Sequence, residues 1–469
     1  MRTVWRYAAG AAVAAVLATA GACESEDPER ASRTPAPTTT DPGAPTLGEA
    51  RDCAAPKSFA CATLRVPLDH RGKAKGSLDL AVAMTENADA PKGVLVFLTG
   101  GPGQPAVPYA ERLGELMEPV LDDYRLVLMD QRGTGPRALD CPALQRQMGS
   151  SDLTAPSRAA VRDCAASLGA NRRYYSTADT VADLDLLRRA LGAERWTLDG
   201  VSYGTYTAQH YALAHPDRVA RLVLDSVVPH SDYDTMVLVP MQATARVLKA
   251  ACAAAGCGTD PVADLRETVR RYGNGAEVLD MLTTYEFTDP DYTEPIGALH
   301  ESAQERPDRL EALIAGTRKG GAAGAADLSQ GLHAATLCLD GHFPWGTSDT
   351  PPEGRRAALE RAVAALTPAD YGPYDAETAK GTGSLLSCLD WPRTPVPPSP
   401  PDDAKLPDVP VLLLGGDRDL STPVEWLHQQ RALIPDAEVR IVRGAAHSVQ
   451  SRSVDDEGRQ AVYAFLSEN

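Results

Sequence analysis

At residues 200–204 the chain reads Gly-Val-Ser-Tyr-Gly, a G-x-S-x-G pentapeptide. It follows a short apolar run, Trp196 to Leu198, and precedes a stretch of helical character from Thr205 to Ala214. A serine placed between a strand and a helix sits on a tight, strained turn, and small residues must flank it. Gly200 and Gly204 allow that close approach. The turn lifts the Ser202 hydroxyl to the top of a sheet, at a helix N-terminus. There the dipole and the backbone N–H groups favour developing negative charge. Such pentapeptides also arise by chance in turns, so the preceding strand and following helix are what make this one a nucleophile.

Serine is a weak nucleophile and needs a base within hydrogen-bond reach. Strand–turn–helix nucleophiles of this kind are followed along the chain by an acid and then a histidine. His447 lies just after the final predicted strand, in Arg443-Gly444-Ala445-Ala446-His447-Ser448, where small residues let the loop reach over Ser202. His210 and His215 fall in the helix after the nucleophile and read as surface residues. For the acid, Leu412-Leu413-Leu414-Gly415-Gly416 runs into Asp417 and Asp419, and these two carboxylates compete. Asp225, ending an earlier apolar run, is a third. The acid would fix the imidazole tautomer and stabilise the imidazolium.

Further apolar runs read as strands at Ala62–Leu68, Leu78–Met84, Val94–Leu98, Arg125–Met129, Val219–Leu224, Val409–Leu414 and Val439–Val442. The first two would pair antiparallel, and most of the later ones are continuously apolar, as expected of strands buried on both faces. Thr180 to Leu191 carries Val181, Leu184, Leu187 and Leu191 at helical spacing. Alternating strands and helices predict an α/β class, a mainly parallel sheet with helices on both faces. The alternation stops near Val228 and resumes near Val409. The interval is Ala-rich and charged, with helix-like segments such as Met241–Ala254 and Arg355–Leu366, and a loop or weak helix at Gly316–Ala326. It reads as a helical cap over 231–402, inserted between core segments 49–230 and 403–469. Pro395, Pro397, Pro398, Pro400 and Pro401 form a stiff connector back to the core.

Arg2 and Arg6 followed by the small apolar stretch Ala8–Ala20 read as an export signal over 1–23, too short to span a bilayer. Ala20-Gly21-Ala22-Cys23 resembles a bacterial lipobox, with Ala20 where Leu is usual. Lipidation of Cys23 would attach the chain to a membrane, and ordinary signal-peptidase cleavage is the alternative. Residues 24–48, rich in Pro, Thr, Ser, Glu and Asp, read as a disordered tether. Besides Cys23, eight of the nine cysteines remain, in sequence-near pairs: Cys53 and Cys61, Cys141 and Cys164, Cys252 and Cys257, Cys338 and Cys388. An even count in an exported chain points to disulfides. No CxxC or Cys/His spacing supports a metal site. The net charge of −17, without a basic run, argues against a nucleic-acid partner.

Leu98-Thr99-Gly100-Gly101-Pro102-Gly103 closes the first central strand, where glycine lets a backbone N–H point into the site. The N–H groups of Gly101 and Tyr203 are the candidate oxyanion donors. Three segments, Gly100-Gly101-Pro102-Gly103, Asp130-Gln131-Arg132-Gly133-Thr134-Gly135 and Gly200-Val201-Ser202-Tyr203-Gly204, resemble the prolyl aminopeptidase family of α/β hydrolases. More narrowly, they resemble the secreted tripeptidyl aminopeptidases of actinobacteria. The Asp419-to-Pro423 and His447 segments are similar to that group's terminal region, which favours Asp419 as the acid. Cys338-Leu339-Asp340 and Cys388-Leu389-Asp390-Trp391-Pro392 look like its cap. Thr99 departs from the His usual in prolyl aminopeptidases, which counts against proline specificity. The resemblance implies an α/β-hydrolase fold, a Ser202–His447–Asp419 triad, no cofactor, and peptide substrates with a free N-terminus. Holding that ammonium needs a buried carboxylate, and Asp340 and Asp390 are the candidates. Arg132 is expected to make buried ion pairs that support the site. An esterase or lipase with the same triad, and a non-catalytic surface binding protein on a hydrolase scaffold, are the competing readings. Oligomeric state is not legible in the sequence.

Overall fold

Continuous apolar pentapeptides have no polar face to turn to water, so they must lie inside a sheet covered on both sides. The computed structural model, which describes residues 45–49, 58–231, 234–401, 404–453 and 455–468, places them there. Nine strands form one sheet: β1 (Leu47–Glu49), β2 (Phe59–Pro67), β3 (Ser77–Thr85), β4 (Val94–Leu98), β5 (Arg125–Met129), β6 (Trp196–Val201), β7 (Val219–Asp225), β8 (Val411–Gly416) and β9 (Glu438–Val442). Their spatial order is β1-β2-β3-β5-β4-β6-β7-β8-β9. β1, β2, β3 and β5 pair antiparallel in sequence, and from β5 through β9 every neighbouring pair is parallel. The expected opening antiparallel pair and parallel centre are both present.

Period-2 alternation divides β4 between two cores. Val94, Val96 and Leu98 face one, where Val181, Leu184 and Leu187 of the helix Thr177–Ala190 pack with Ala208 and Tyr211 of the helix Tyr203–Ala214. Leu95 and Phe97 face the other, with Leu113 and Met117 of the helix Ala110–Met117 and Val462 and Phe465 of the helix Glu457–Ser467. A helix end leaves carbonyls without partners and carries partial negative charge. At Glu457–Ser467 these are met by residues from far along the chain. Lys92 Nζ donates to the carbonyls of Leu466, Ser467 and Glu468 at 3.0, 2.6 and 3.1 Å, and Arg221 to that of Phe465 at 3.1 Å.

The interval between β7 and β8 is helical, from Leu238–Ala255 to Gly383–Leu389. The Ala/Gly run at 316–326 is partly the end of a regular helix, Asp308–Gly320. Two readings need correction. Leu47 and Gly48, assigned to the tether, pair with Leu64 and Thr63 as β1, a strand too short to show periodicity. The helices Pro142–Met148 and Arg158–Leu168, counted with the first core segment, pack instead with the insertion. Leu144, Met148 and Val161 share a core with Leu332, Leu385 and Trp391. Disulfides Cys141–Cys164, Cys252–Cys257 and Cys338–Cys388 are formed as expected. Cys61 is also disulfide-bonded. Its expected partner Cys53, like Cys23 and the export signal, lies outside the described residues. Among the described residues no helix is long and apolar enough to cross a membrane.

Candidate active site

β6 ends at Val201 and the helix begins at Tyr203, so one residue makes the whole reversal. Ser202 takes φ +59°, a region costly for a residue with a side chain. The surroundings leave no alternative. A Cβ on Gly204 would lie 2.2 Å from the Leu98 carbonyl oxygen, and one on Gly200 2.4 Å from that of Gly204. Ser202 N–H donates to the Asp225 carbonyl at 3.0 Å, and the Ser202 carbonyl accepts from Thr205 N at 2.8 Å.

His447 and Asp419 meet at the ends of β9 and β8. Nδ1 of His447 lies 3.1 and 3.3 Å from the two oxygens of Asp419. The side chain of Asp419 is fully buried, and its carboxylate also accepts from Thr422 N and Thr422 Oγ1, each at 2.7 Å. Thr422 Oγ1 is itself 3.2 Å from His447 Nδ1. Burial disfavours the imidazolium, but the charge of Asp419 and the hydrogen bond to it outweigh that and raise the His447 pKa above 6.5. Asp417 does something else. Its carboxylate accepts from Gly444 N at 2.7 Å and ties the two loops together. Asp225, the third candidate, accepts from Val449 N and Gln450 N at 3.0 and 2.9 Å, while its carbonyl holds Ser202. Asp225 thus fastens the nucleophile turn and the histidine loop to one strand end.

The Gly100–Gly103 turn closes on Ser202. A Cβ on Gly100 would sit 3.3 Å from Ser202 Oγ. Gly101 has φ +109°, and a Cβ there would be 2.6 Å from Gly103 N, so the turn requires glycine at that position. Tyr203 is the first residue of the following helix.

A family model described as the alpha/beta hydrolase fold matches residues 93–265, and one described as TAP-like protein matches residues 375–468. The chain has the α/β-hydrolase fold. The tripeptidyl aminopeptidase of Streptomyces lividans is 31% identical to it over 201 residues, covering 38% of this chain and 37% of that protein. The match therefore spans little more than a third of that relative's length. Serine protease Hip1 of Mycobacterium tuberculosis (strain ATCC 25618 / H37Rv) is 26% identical over 423 residues, 78% of each chain. Among solved structures, a proline iminopeptidase-related protein of Thermus thermophilus is 20% identical, covers 86% of this chain and 96% of its own, and has a TM-score of 0.38.

The two cap carboxylates part company. Asp340, ending the helix Gln330–Asp340, accepts from Thr177 N at 2.9 Å and Thr177 Oγ1 at 2.5 Å. The same Thr177 hydroxyl is 2.6 Å from the Tyr203 phenol, which links Asp340 to the nucleophile helix. Burial pushes Asp340 up to about 7. It lines a cavity of about 30 Å³ with Tyr206 and His210. His210 is buried, not the surface residue expected. Its Nε2 has no hydrogen-bond partner among the described residues, and burial pushes its pKa down to about 4. Asp390 is not available to a substrate. Its nearly buried carboxylate is 2.9 Å from Arg158, 3.5 Å from Arg162 and 3.7 Å from Arg356. The Cys338–Cys388 bridge forms, but the two carboxylates face different partners. Arg132, fully buried, meets both oxygens of Asp183 at 2.7 and 2.6 Å and donates to the Tyr174 carbonyl at 2.6 Å.

Sequence reading missed three residues at this site. Thr422 had a signal, because Asp-x-x-Thr is a spacing at which a carboxylate accepts from the backbone three residues on. Glu286 and Phe287 had none. They come from the helical insertion and reach Asp419 and His447 only through tertiary structure.

Proposed function

We propose that this α/β hydrolase is an exported serine exopeptidase that releases short N-terminal peptides, tripeptides foremost. The observation that carries the reading is the buried Asp419–His447 pair, on a loop that Asp225 ties to the strand-to-helix turn holding Ser202 at φ +59°. The names of the relatives support the peptide substrate. Ser202 Oγ attacks the scissile carbonyl while His447 takes its proton. The N–H groups of Gly101 and Tyr203 hold the oxyanion, and His447 then gives the proton to the leaving amine. Water, deprotonated by the same imidazole, releases the acyl-enzyme as the free peptide. The helical insertion serves as a cap that limits how much chain precedes the cut. Asp340 is the carboxylate proposed to hold the substrate ammonium. The Arg2–Cys23 segment is proposed to direct export and, through lipidated Cys23, attachment to the outer face of the membrane.

The test compares tripeptidyl chromogenic amides carrying free and acetylated N-termini, with short-chain esters alongside. Hydrolysis of the free tripeptidyl amide and not of the acetylated one is expected. Ester turnover indifferent to the amine would replace this reading by a general esterase. Asp340→Asn should raise KM for the free amide by about tenfold or more, the worth of a charge-assisted hydrogen bond, and leave ester hydrolysis alone. Equal KM values would remove Asp340 from the role.

The pH profile has a definite sign. His447 must be neutral to accept the Ser202 proton, and its pKa lies above the ordinary 6.5. Activity should therefore fall as pH drops through a midpoint above 6.5, read from kcat/KM. In Asp419→Asn the largest contribution opposing burial is gone and only Glu286 still raises the imidazole, so that midpoint should move down.

A further inference from the structure

The loop that carries Asp419 is gripped from the insertion on both sides of that residue. Before it, Arg418 Nη1 donates to the Pro290 carbonyl at 2.9 Å and pairs with Asp291 at 2.6 Å, and the Arg418 carbonyl accepts from Tyr292 OH at 3.3 Å. After it, Glu286 takes the next two amides. Its carboxylate accepts from Leu420 N at 2.6 Å and Ser421 N at 3.1 Å, and from the Ser421 hydroxyl. Glu286 is the residue just past the helix Gly275–Tyr285, and it is buried. Ligand-type atoms of Glu286, Asp419 and His447 all lie within 4.8 Å of one another. The neighbouring Phe287 sets its ring edge-on to the imidazole, with centroids 5.3 Å apart, and Arg452 lies over that ring at 4.7 Å.

A buried carboxylate next to the acid of a triad costs energy through desolvation and like charge. A site that keeps one has it bound to something that matters locally, and here that is the backbone of the acid loop. We propose that Glu286 is a positioning residue for the reaction, holding the Asp419 loop in register with His447 from the insertion. This rests on the serine-hydrolase reading above. Asp419 then aligns the imidazole only while the insertion is seated, so insertion and triad form one mechanical unit.

The charges agree with this placement. Burial first, then the neighbouring Asp419, pushes Glu286 up to about 8, against the opposing pull of His447 and of the loop hydrogen bonds. The other charged or titratable groups facing it are Arg452 and Tyr292. Where Glu286 is ionised, a second negative charge stands by the imidazole and raises its basicity.

The experiment uses the full chain with Glu286→Ala and Glu286→Gln, a free tripeptidyl amide, and fluorophosphonate labelling to count competent Ser202 sites. Glu286→Ala is expected to lower kcat per labelled site on the order of 10²-fold, the effect of a misplacement of about 1 Å, with KM little changed. Glu286→Gln keeps one acceptor for the loop, so it should recover part of that loss. It should also erase a step in the kcat/KM profile near pH 8 that the unaltered chain shows. Wild-type kcat and an unchanged profile in both variants would overturn the proposal. So would a loss confined to thermal stability with kcat per labelled site intact. If Glu286→Ala does not fold, Glu286→Gln decides on the same readouts. An unaltered chain that neither labels nor turns over would fail at the earlier step, the serine-hydrolase reading, and take this inference with it.

Discussion

Ser202→Ala is expected to lower hydrolysis on the order of 10⁵- to 10⁶-fold and to leave the fold in place. The reaction needs an oxygen at this position that can be deprotonated and acylated, and alanine has none. What survives is substrate binding and oxyanion stabilisation, which alone give a small residual rate over water. The fold should tolerate the change because the turn is set by other residues. The crowding at Gly200 and Gly204 and the Ser202 N–H bond to the Asp225 carbonyl are indifferent to the side chain. At φ +59° alanine is no worse a fit than serine. The check combines turnover, fluorophosphonate labelling and a thermal melt. Residual activity above about 1% in a folded variant would move the nucleophile elsewhere.

The second large effect is on stability. Arg132 and Asp183 form a fully buried ion pair, with the guanidinium also satisfying the Leu68 and Tyr174 carbonyls at 3.1 and 2.6 Å. Removing Arg132 leaves the buried Asp183 with only His70 Nε2, at 2.7 Å, as a side-chain partner among the described residues, and breaking a buried pair in this way costs about 3–5 kcal/mol. Arg132→Met should therefore lower the urea midpoint sharply. The double variant Arg132→Met with Asp183→Leu should recover a large part, because no charge is then left alone. If the single variant unfolds like the unaltered chain, the pair contributes nothing. If the double variant is no more stable than the single, the carbonyl contacts, lost in both, rather than the charge are what the guanidinium serves.

Much of the scaffold was legible because it obeys local rules. The apolar pentapeptides of β4 and β5 and the Leu-rich β8 fit only central strands, and Thr180–Leu191 showed its buried face at helical spacing. Ser202, Asp419 and His447 could be placed because each sits immediately beyond a readable strand. The rest depended on contacts between distant segments. β1 is three residues long and is defined by its partner. Asp390 looked like a free carboxylate, yet Arg158, Arg162 and Arg356 approach it from two helices that no sequence spacing brings together. Asp340 and Asp390 stand at equal offsets from bridged cysteines, but only their three-dimensional neighbours separate them. Glu286 lies far from Asp419 along the chain, and nothing around it announces a carboxylate at the triad.

The order of segments along the chain also sets the order in which the site comes into being. β7 pairs with β8 across the whole insertion, and Asp419 and His447 both follow β8. While the polypeptide is being made, a nascent chain already bears Ser202 on its turn but lacks acid and base. The clamp from Lys92 and Arg221 must also wait for the helix Glu457–Ser467 to emerge. Until then the β7 edge is open and the serine is chemically idle. The last-made pieces of the chain therefore complete the site.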